Sequence, residues 1–126
     1  MERLRWLMWS IYLTVWTASL VTPYPIQASH AVLPAGAHFP ASKTLHILGY
    51  AGLTALTAWL PVRLRLRWVL VALLPLHGAL TELIQNFVPL RTGSWFDLGL
   101  DCIGVALGAA VVGRWLLLRS CRPSLD

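Results

Sequence analysis

Glu82, Gln85, Arg91, Ser94, Asp97 and Asp101 fall within residues 82–101, at the facing ends of two segments that are otherwise almost purely apolar. Upstream, Lys43, His46 and Tyr50 recur at helical spacing near the start of another apolar segment. A carboxylate at the centre of a membrane-spanning helix costs about 2.5–3.5 kcal/mol or more, so such a residue marks a functional site by default. The chemistry on offer is acid–base and anion binding. His46 or Glu82 could serve as general base, while Lys43 and Arg91 hold an anionic group such as a phosphate. The alternative use of the same residues is a structural network of ion pairs that fixes helix register. The sequence contains no Walker loop, dinucleotide fingerprint, HExxH or GxSxG motif. The two cysteines, Cys102 and Cys121, lack metal-type spacing and should lie at different depths, so neither a metal, a cofactor nor a disulfide is expected.

The elements that would position these residues follow from composition. The chain has 126 residues, the length of one domain, of which 57% are hydrophobic and 12% charged. Soluble domains carry about 25% charged residues, so this is the composition of a polytopic membrane protein. A net charge of +5 would suggest nucleic acid in a soluble protein. Here the arginines sit between apolar runs, where a positive-inside bias explains them better, and no nucleic-acid partner is expected.

Apolar runs of spanning length place four transmembrane helices at about Trp6–Val21, Thr44–Leu60, Trp68–Val88 and Asp97–Leu118, forming a compact all-α bundle. Arg3, Arg5, Arg63, Arg65, Arg67, Arg114, Arg119 and Arg122 flank one side, and only Lys43 and Arg91 the other. The positive-inside rule then puts both termini in the cytoplasm. The rival for the first run is a cleaved signal peptide, but the run is long for that and rich in tryptophan. Segment 22–42, rich in Pro, Ala and His, has no helical or strand period and is expected to be a loop capping the outer surface.

A period of 3.6 residues groups Lys43, His46, Tyr50, Thr54 and Thr57 on one face of the second span. It likewise groups Gly78, Glu82, Gln85 and Pro89 on the third, and Asp97, Asp101, Gly104 and Gly108 on the fourth. At 1.5 Å rise per residue, Tyr50, Glu82 and Asp101 lie about 6–9 Å below the outer ends of their spans, so the stripes share one depth. Lys43, Arg91 and a protonated His46 would balance Glu82, Asp97 and Asp101, with Glu82 and Arg91 mutually dependent. Gly104 and Gly108 fit the GxxxG helix-contact pattern. His77 lies on a different face from Glu82 and reads as a packed or lipid-edge histidine. His30 and His38 read as loop residues. Thr54 and Thr57 are expected to bond their own helix backbone.

Lys43-Thr44-Leu45-His46 followed by Tyr50 resembles the Lys-x-x-His…Tyr signature that opens the second span of VanZ-like membrane proteins. Glu82-x-x-Gln85, Pro89-x-Arg91, Ser94, Asp97, Gly104 and Gly108 resemble that family's second block. The resemblance covers residues 43–108, with order and spacing intact. Ser42 stands where the family usually has Asp, and Asp101 where it usually has Asn. The resemblance implies a small bacterial integral protein of the cytoplasmic membrane. The family's named member is associated with low-level resistance to the lipoglycopeptide teicoplanin.

Residues and resemblance together lead to an outward-facing pocket formed by Lys43, His46, Tyr50, Glu82, Gln85, Arg91, Ser94, Asp97 and Asp101. The first expectation is a cell-envelope factor, in contact with membrane lipids, that engages a lipid-linked precursor or a lipoglycopeptide. The second is a membrane-embedded hydrolase or transferase acting on a lipid-linked phosphate. A small proton-coupled exporter ranks third, because no ionisable residue follows Arg5 in the first span.

Overall fold

The computed structural model describes residues 1–34 and 36–120, with side chains through residue 115. Cys121 and Arg122 lie outside the described residues, as does the side chain of Arg119. The described residues form five helices and no strand: α1 (Glu2–Val21), α2 (Tyr24–Val32), α3 (His38–Trp59), α4 (Leu64–Gln85) and α5 (Trp95–Ser120).

Helix α3 is the central element. It packs most extensively on α5 and also meets α1 and α4. The α3–α5 approach depends on glycine. A Cβ at Gly104 would collide with the Ile47 carbonyl, and one at Gly108 would lie 2.8 Å from the Ala51 carbonyl oxygen. On the other side of α3, Gly49 lies against the indole of Trp16, which admits α1.

Segment 22–42 is not the loop expected from its composition. Pro25 falls in the first turn of α2, where a missing N–H costs nothing. The following Ile-Gln-Ala-Ser-His-Ala-Val then continues the helix to nine residues. Helix α3 also begins earlier than expected, at His38, so Lys43 lies inside it with His46. Helix α4 stops at Gln85, and Pro89 belongs to the turn beyond. The residue before a proline avoids the helical region, and Leu90 adopts φ 65°, which closes the turn. Pro89 therefore leaves the stripe to which its spacing assigned it.

The interior is unusually polar. His46, Thr54, Thr57, Thr81, Glu82, Gln85, Asp97 and Asp101 are buried, alongside an apolar cluster of Leu20, Tyr50, Leu53, Val71, Leu74 and Val105. The periphery is the reverse: Ile11, Val15, Leu48, Leu73, Leu80, Ile103 and Leu107 are all exposed. Thr54 and Thr57 donate to the carbonyls of Tyr50 and Leu53, both at 2.8 Å, so burying them leaves no hydroxyl unpaired.

Two stretches, Leu64–Gln85 and Trp95–Trp115, are long and apolar enough to cross a membrane. The four-span expectation is met on that criterion by α4 and α5 alone. Helices α1 and α3 have 20 and 22 residues. Their Trp, Tyr, Ser and Thr content, with Lys43 and His46 in α3, dilutes their apolarity.

The two ends of the bundle differ. At one end Arg5 donates to the Trp59 carbonyl and Arg67 to that of Leu60, so the start of α1, the α3–α4 connection and the later part of α5 share it. The opposite end holds α2, the start of α3, the α4–α5 turn and the start of α5. Every ionisable residue of the sequence-derived pocket lies there.

Candidate functional site

The three polar stripes point inward, and their ionisable members meet at that second end. Lys43 Nζ donates to Asp97 Oδ1 at 2.6 Å, joining α3 to α5 near the surface. One turn deeper, His46 Nδ1 and Asp101 Oδ1 share a hydrogen bond of 2.8 Å, with both side chains almost fully buried. Deeper again, the Tyr50 hydroxyl meets His77 Nδ1 at 2.9 Å. His77 Nε2 in turn pairs with Thr17 Oγ1 at 2.9 Å. Polar contacts thus descend the bundle in three tiers spaced one helical turn apart on α3.

Glu82 completes the middle tier from α4. Its Oε2 accepts the Ser94 amide at 2.7 Å, while Oε1 receives only a long approach, 3.5 Å, from Gln85 Nε2. The α4–α5 turn is folded around this carboxylate. A Cβ at Gly93 would strike the Glu82 carbonyl, and Asn86 bridges the Glu82 carbonyl to the Gly93 amide. Ser94 also caps α5, its Oγ accepting the Phe96 amide at 3.2 Å. Its part in the site is therefore to position Glu82 and start α5.

Arg91 does not pair with Glu82. Its Nε donates to the Thr22 carbonyl at 2.8 Å and its second guanidinium nitrogen to the Ser19 carbonyl. The last carbonyls of a helix lack partners along the chain and carry the negative end of its dipole. The end of α1 therefore captures the cation expected to balance Glu82. Burial pulls the Arg91 pKa down, and the charge of Glu82 opposes that.

His77 is a packed histidine, but it is not independent of the site, since it bridges α1 to Tyr50. Its angle from Glu82 describes only α4 and carries no information about which neighbour meets it. His30 and His38, expected as loop residues, lie in α2 and at the start of α3, their rings stacked with centroids 4.3 Å apart. Cys102 is a free, exposed thiol on α5.

One further feature was hidden from the sequence. A cavity of about 340 Å³ opens between α1, α2 and α3. Val15, Trp16, Leu20, Ile26, Leu33 and Leu45 form its apolar walls, and His38, His46 and Arg91 contribute polar groups. Val15 and Trp16 also line a second hollow of about 380 Å³ with Met8, Ile11, Tyr12 and Leu56, which extends along α1. A helical α2 is what roofs the cavity, so reading 22–42 as a loop concealed it.

The site can therefore offer a buried imidazole–carboxylate pair beside a second carboxylate, a lysine–aspartate pair above them, and an apolar cavity that reaches the imidazole. No family model, curated protein or solved structure matches the chain.

Proposed function

We propose that this chain is a VanZ-like protein of the bacterial cytoplasmic membrane. In this reading α1, α3, α4 and α5 span the bilayer, the arginine-rich end lies in the cytoplasm, and the polar end faces outward. Its function is to bind an amphiphilic envelope molecule, a lipid-linked precursor or a lipoglycopeptide, and thereby to lower susceptibility to glycopeptides. The membrane assignment is supported by the polar interior and apolar periphery, the reverse of a soluble fold, and by the two helices of spanning length and apolarity. The orientation is supported by the clustering of Arg5 and Arg67 at one end.

The observation that carries the function is the cavity. Apolar walls suit an acyl or prenyl chain, and the hollow along α1 extends them in the direction of the bundle axis. His46 and Arg91 lie where a polar or anionic head would sit. Ligand sites are mostly apolar with a few convergent polar groups, and this cavity has that character. A second reading, a membrane-embedded transferase or hydrolase on a lipid-linked phosphate, is favoured by the His46–Asp101 hydrogen bond. That bond fixes the ring through Nδ1, leaving Nε2 as the nitrogen for proton exchange.

The test compares His46→Ala and Ala41→Trp with the parent chain, expressed in a susceptible host and assayed for teicoplanin tolerance. Ala41 lines the cavity, and an indole there would occupy it. Leu107→Ala, on the exposed face of α5, is the control. Both site variants should abolish tolerance while protein abundance in the membrane stays unchanged. Full tolerance in either variant, or a loss only in proportion to protein level, would refute the reading.

A further inference from the structure

His46, Glu82 and Asp101 come from three different helices, yet each offers a ligand atom within 4.8 Å of the others, and all three are buried. We propose that they form a binding site for one divalent transition-metal ion of the Zn2+ or Mn2+ class. The three residues are scattered over α3, α4 and α5, so no spacing in the sequence displays them as a ligand set.

Independent support comes from the far oxygen of Asp101. The residue is 0% exposed, and Oδ2 has no hydrogen-bond partner, whereas Oδ1 is held by His46. An orphaned carboxylate oxygen in a protein interior costs several kcal/mol unless something binds it. It is directed at α4, where it would lie 2.9 Å from a Cβ at Gly78, one turn before Glu82. Glycine at 78 thus leaves room beside that oxygen, next to the Tyr50 hydroxyl.

Charge points the same way. Two carboxylates with a neutral imidazole carry a formal charge of −2. The nearby cations are committed elsewhere, Lys43 to Asp97 and Arg91 to the end of α1. A divalent ion neutralises the pair in one step. Imidazole and carboxylate at about 2.0–2.2 Å are the donor set of zinc and its neighbours. Ligands on a tetrahedral ion at these bond lengths lie about 3.4 Å apart. The three ligand atoms now lie within 4.8 Å of one another, so they must draw together around the ion, which displaces the proton shared by His46 Nδ1 and Asp101 Oδ1. Three protein ligands leave a coordination position open, the arrangement of reactive rather than purely structural sites. Ser94, which holds Glu82 Oε2, supplies the outer hydrogen bond that orients a ligating carboxylate.

Metal binding is measured on the full chain alone and stands or falls apart from the cavity's occupant. Purified protein in detergent is stripped with EDTA, titrated with Co2+ by visible absorption, and then competed with Zn2+. One saturable Co2+ per chain, displaced by Zn2+, is expected. Glu82→Gln and Asp101→Asn should each weaken binding more than tenfold, and His30→Ala with His38→Ala should leave it intact. No saturable binding, binding that survives both carboxylate substitutions, or loss on removing His30 and His38 would each overturn the proposal. Should the carboxylate variants fail to fold, X-ray absorption of the Zn2+-loaded parent decides. A shell with one imidazole and oxygen ligands supports the site. Two imidazoles would not fit this three-residue set and would refute it.

Discussion

The α3–α5 contact holds the Lys43–Asp97 and His46–Asp101 hydrogen bonds in register, and glycine substitutions measure how tightly. At Gly108 an added Cβ would lie 2.8 Å from both the Ala51 carbonyl oxygen and Thr54 Cβ, where ordinary contact begins near 3.4 Å. Alanine there forces the helices apart by roughly half an ångström, and overpacking of this kind costs about 1–3 kcal/mol. At Gly104 the obstacle is the Ile47 backbone itself, closer still, so the cost should reach or exceed the top of that range. The Lys43–Asp97 and His46–Asp101 bonds, 2.6 and 2.8 Å, cross the same interface. A matching displacement would stretch them to about 3.1 and 3.3 Å, at and beyond the limit of good hydrogen-bond geometry. Each charge-assisted bond so weakened adds about 1.5–3 kcal/mol. Gly99, on the same helix with nothing within 4 Å of its Cβ, is the control. Alanine there should be neutral or stabilising by up to about 1 kcal/mol, because it restricts the unfolded chain. Unfolding in detergent, followed by tryptophan fluorescence, should therefore rank Gly99→Ala as most stable, then Gly108→Ala, then Gly104→Ala. Equal stability of the Gly99 and Gly104 variants would refute the packing argument.

Other consequences can be checked directly. Arg91→Ala and Glu82→Gln should combine with a coupling under about 1 kcal/mol, below the 3–5 kcal/mol that breaking a direct buried pair costs, because Arg91 serves the Ser19 and Thr22 carbonyls. A larger coupling would mean that the two side chains meet. Tyr50→Phe removes the hydroxyl bonded to His77 and should lower stability by about 1 kcal/mol, whereas Tyr12→Phe, which gives up a bond to the Gly49 carbonyl nearer the periphery, should cost less. A reversed order in unfolding would contradict the tiered network. For topology, a cysteine at exposed Val32 should react with an impermeant maleimide added to intact cells, and one at Arg65 should not. The opposite pattern would invert the proposed orientation.

The positions of α1, α4 and α5 are legible to within about four residues and that of α3 to within about six, because apolar runs of about 20 residues bounded by proline and arginine leave little choice. The inward stripes were readable too, since polar residues at 3.6-residue spacing on otherwise apolar helices can be sheltered only in the interior. Helix α2 was not. Its composition mimics a loop, and its helicity rests on Pro25 falling in the first turn. The destination of Arg91 depends on where α1 ends in space, so charge counting paired it with the wrong group. The spacing of His77 from Glu82 concerns one helix, while its partners Thr17 and Tyr50 lie on two others. The cavity exists only between three helices, one of them α2, and no one-dimensional period encodes it.

The central claim is that the cavity between α1, α2 and α3 holds an amphiphile. Native mass spectrometry of the full chain, released from detergent after mild delipidation, tests this most directly. The parent chain should retain one amphiphile of defined mass through delipidation. Ala41→Trp and Ser29→Trp, which fill the cavity from α3 and α2, should lose it while still unfolding cooperatively. An adduct carried equally by parent and both variants, or no adduct retained by the parent, would contradict the account.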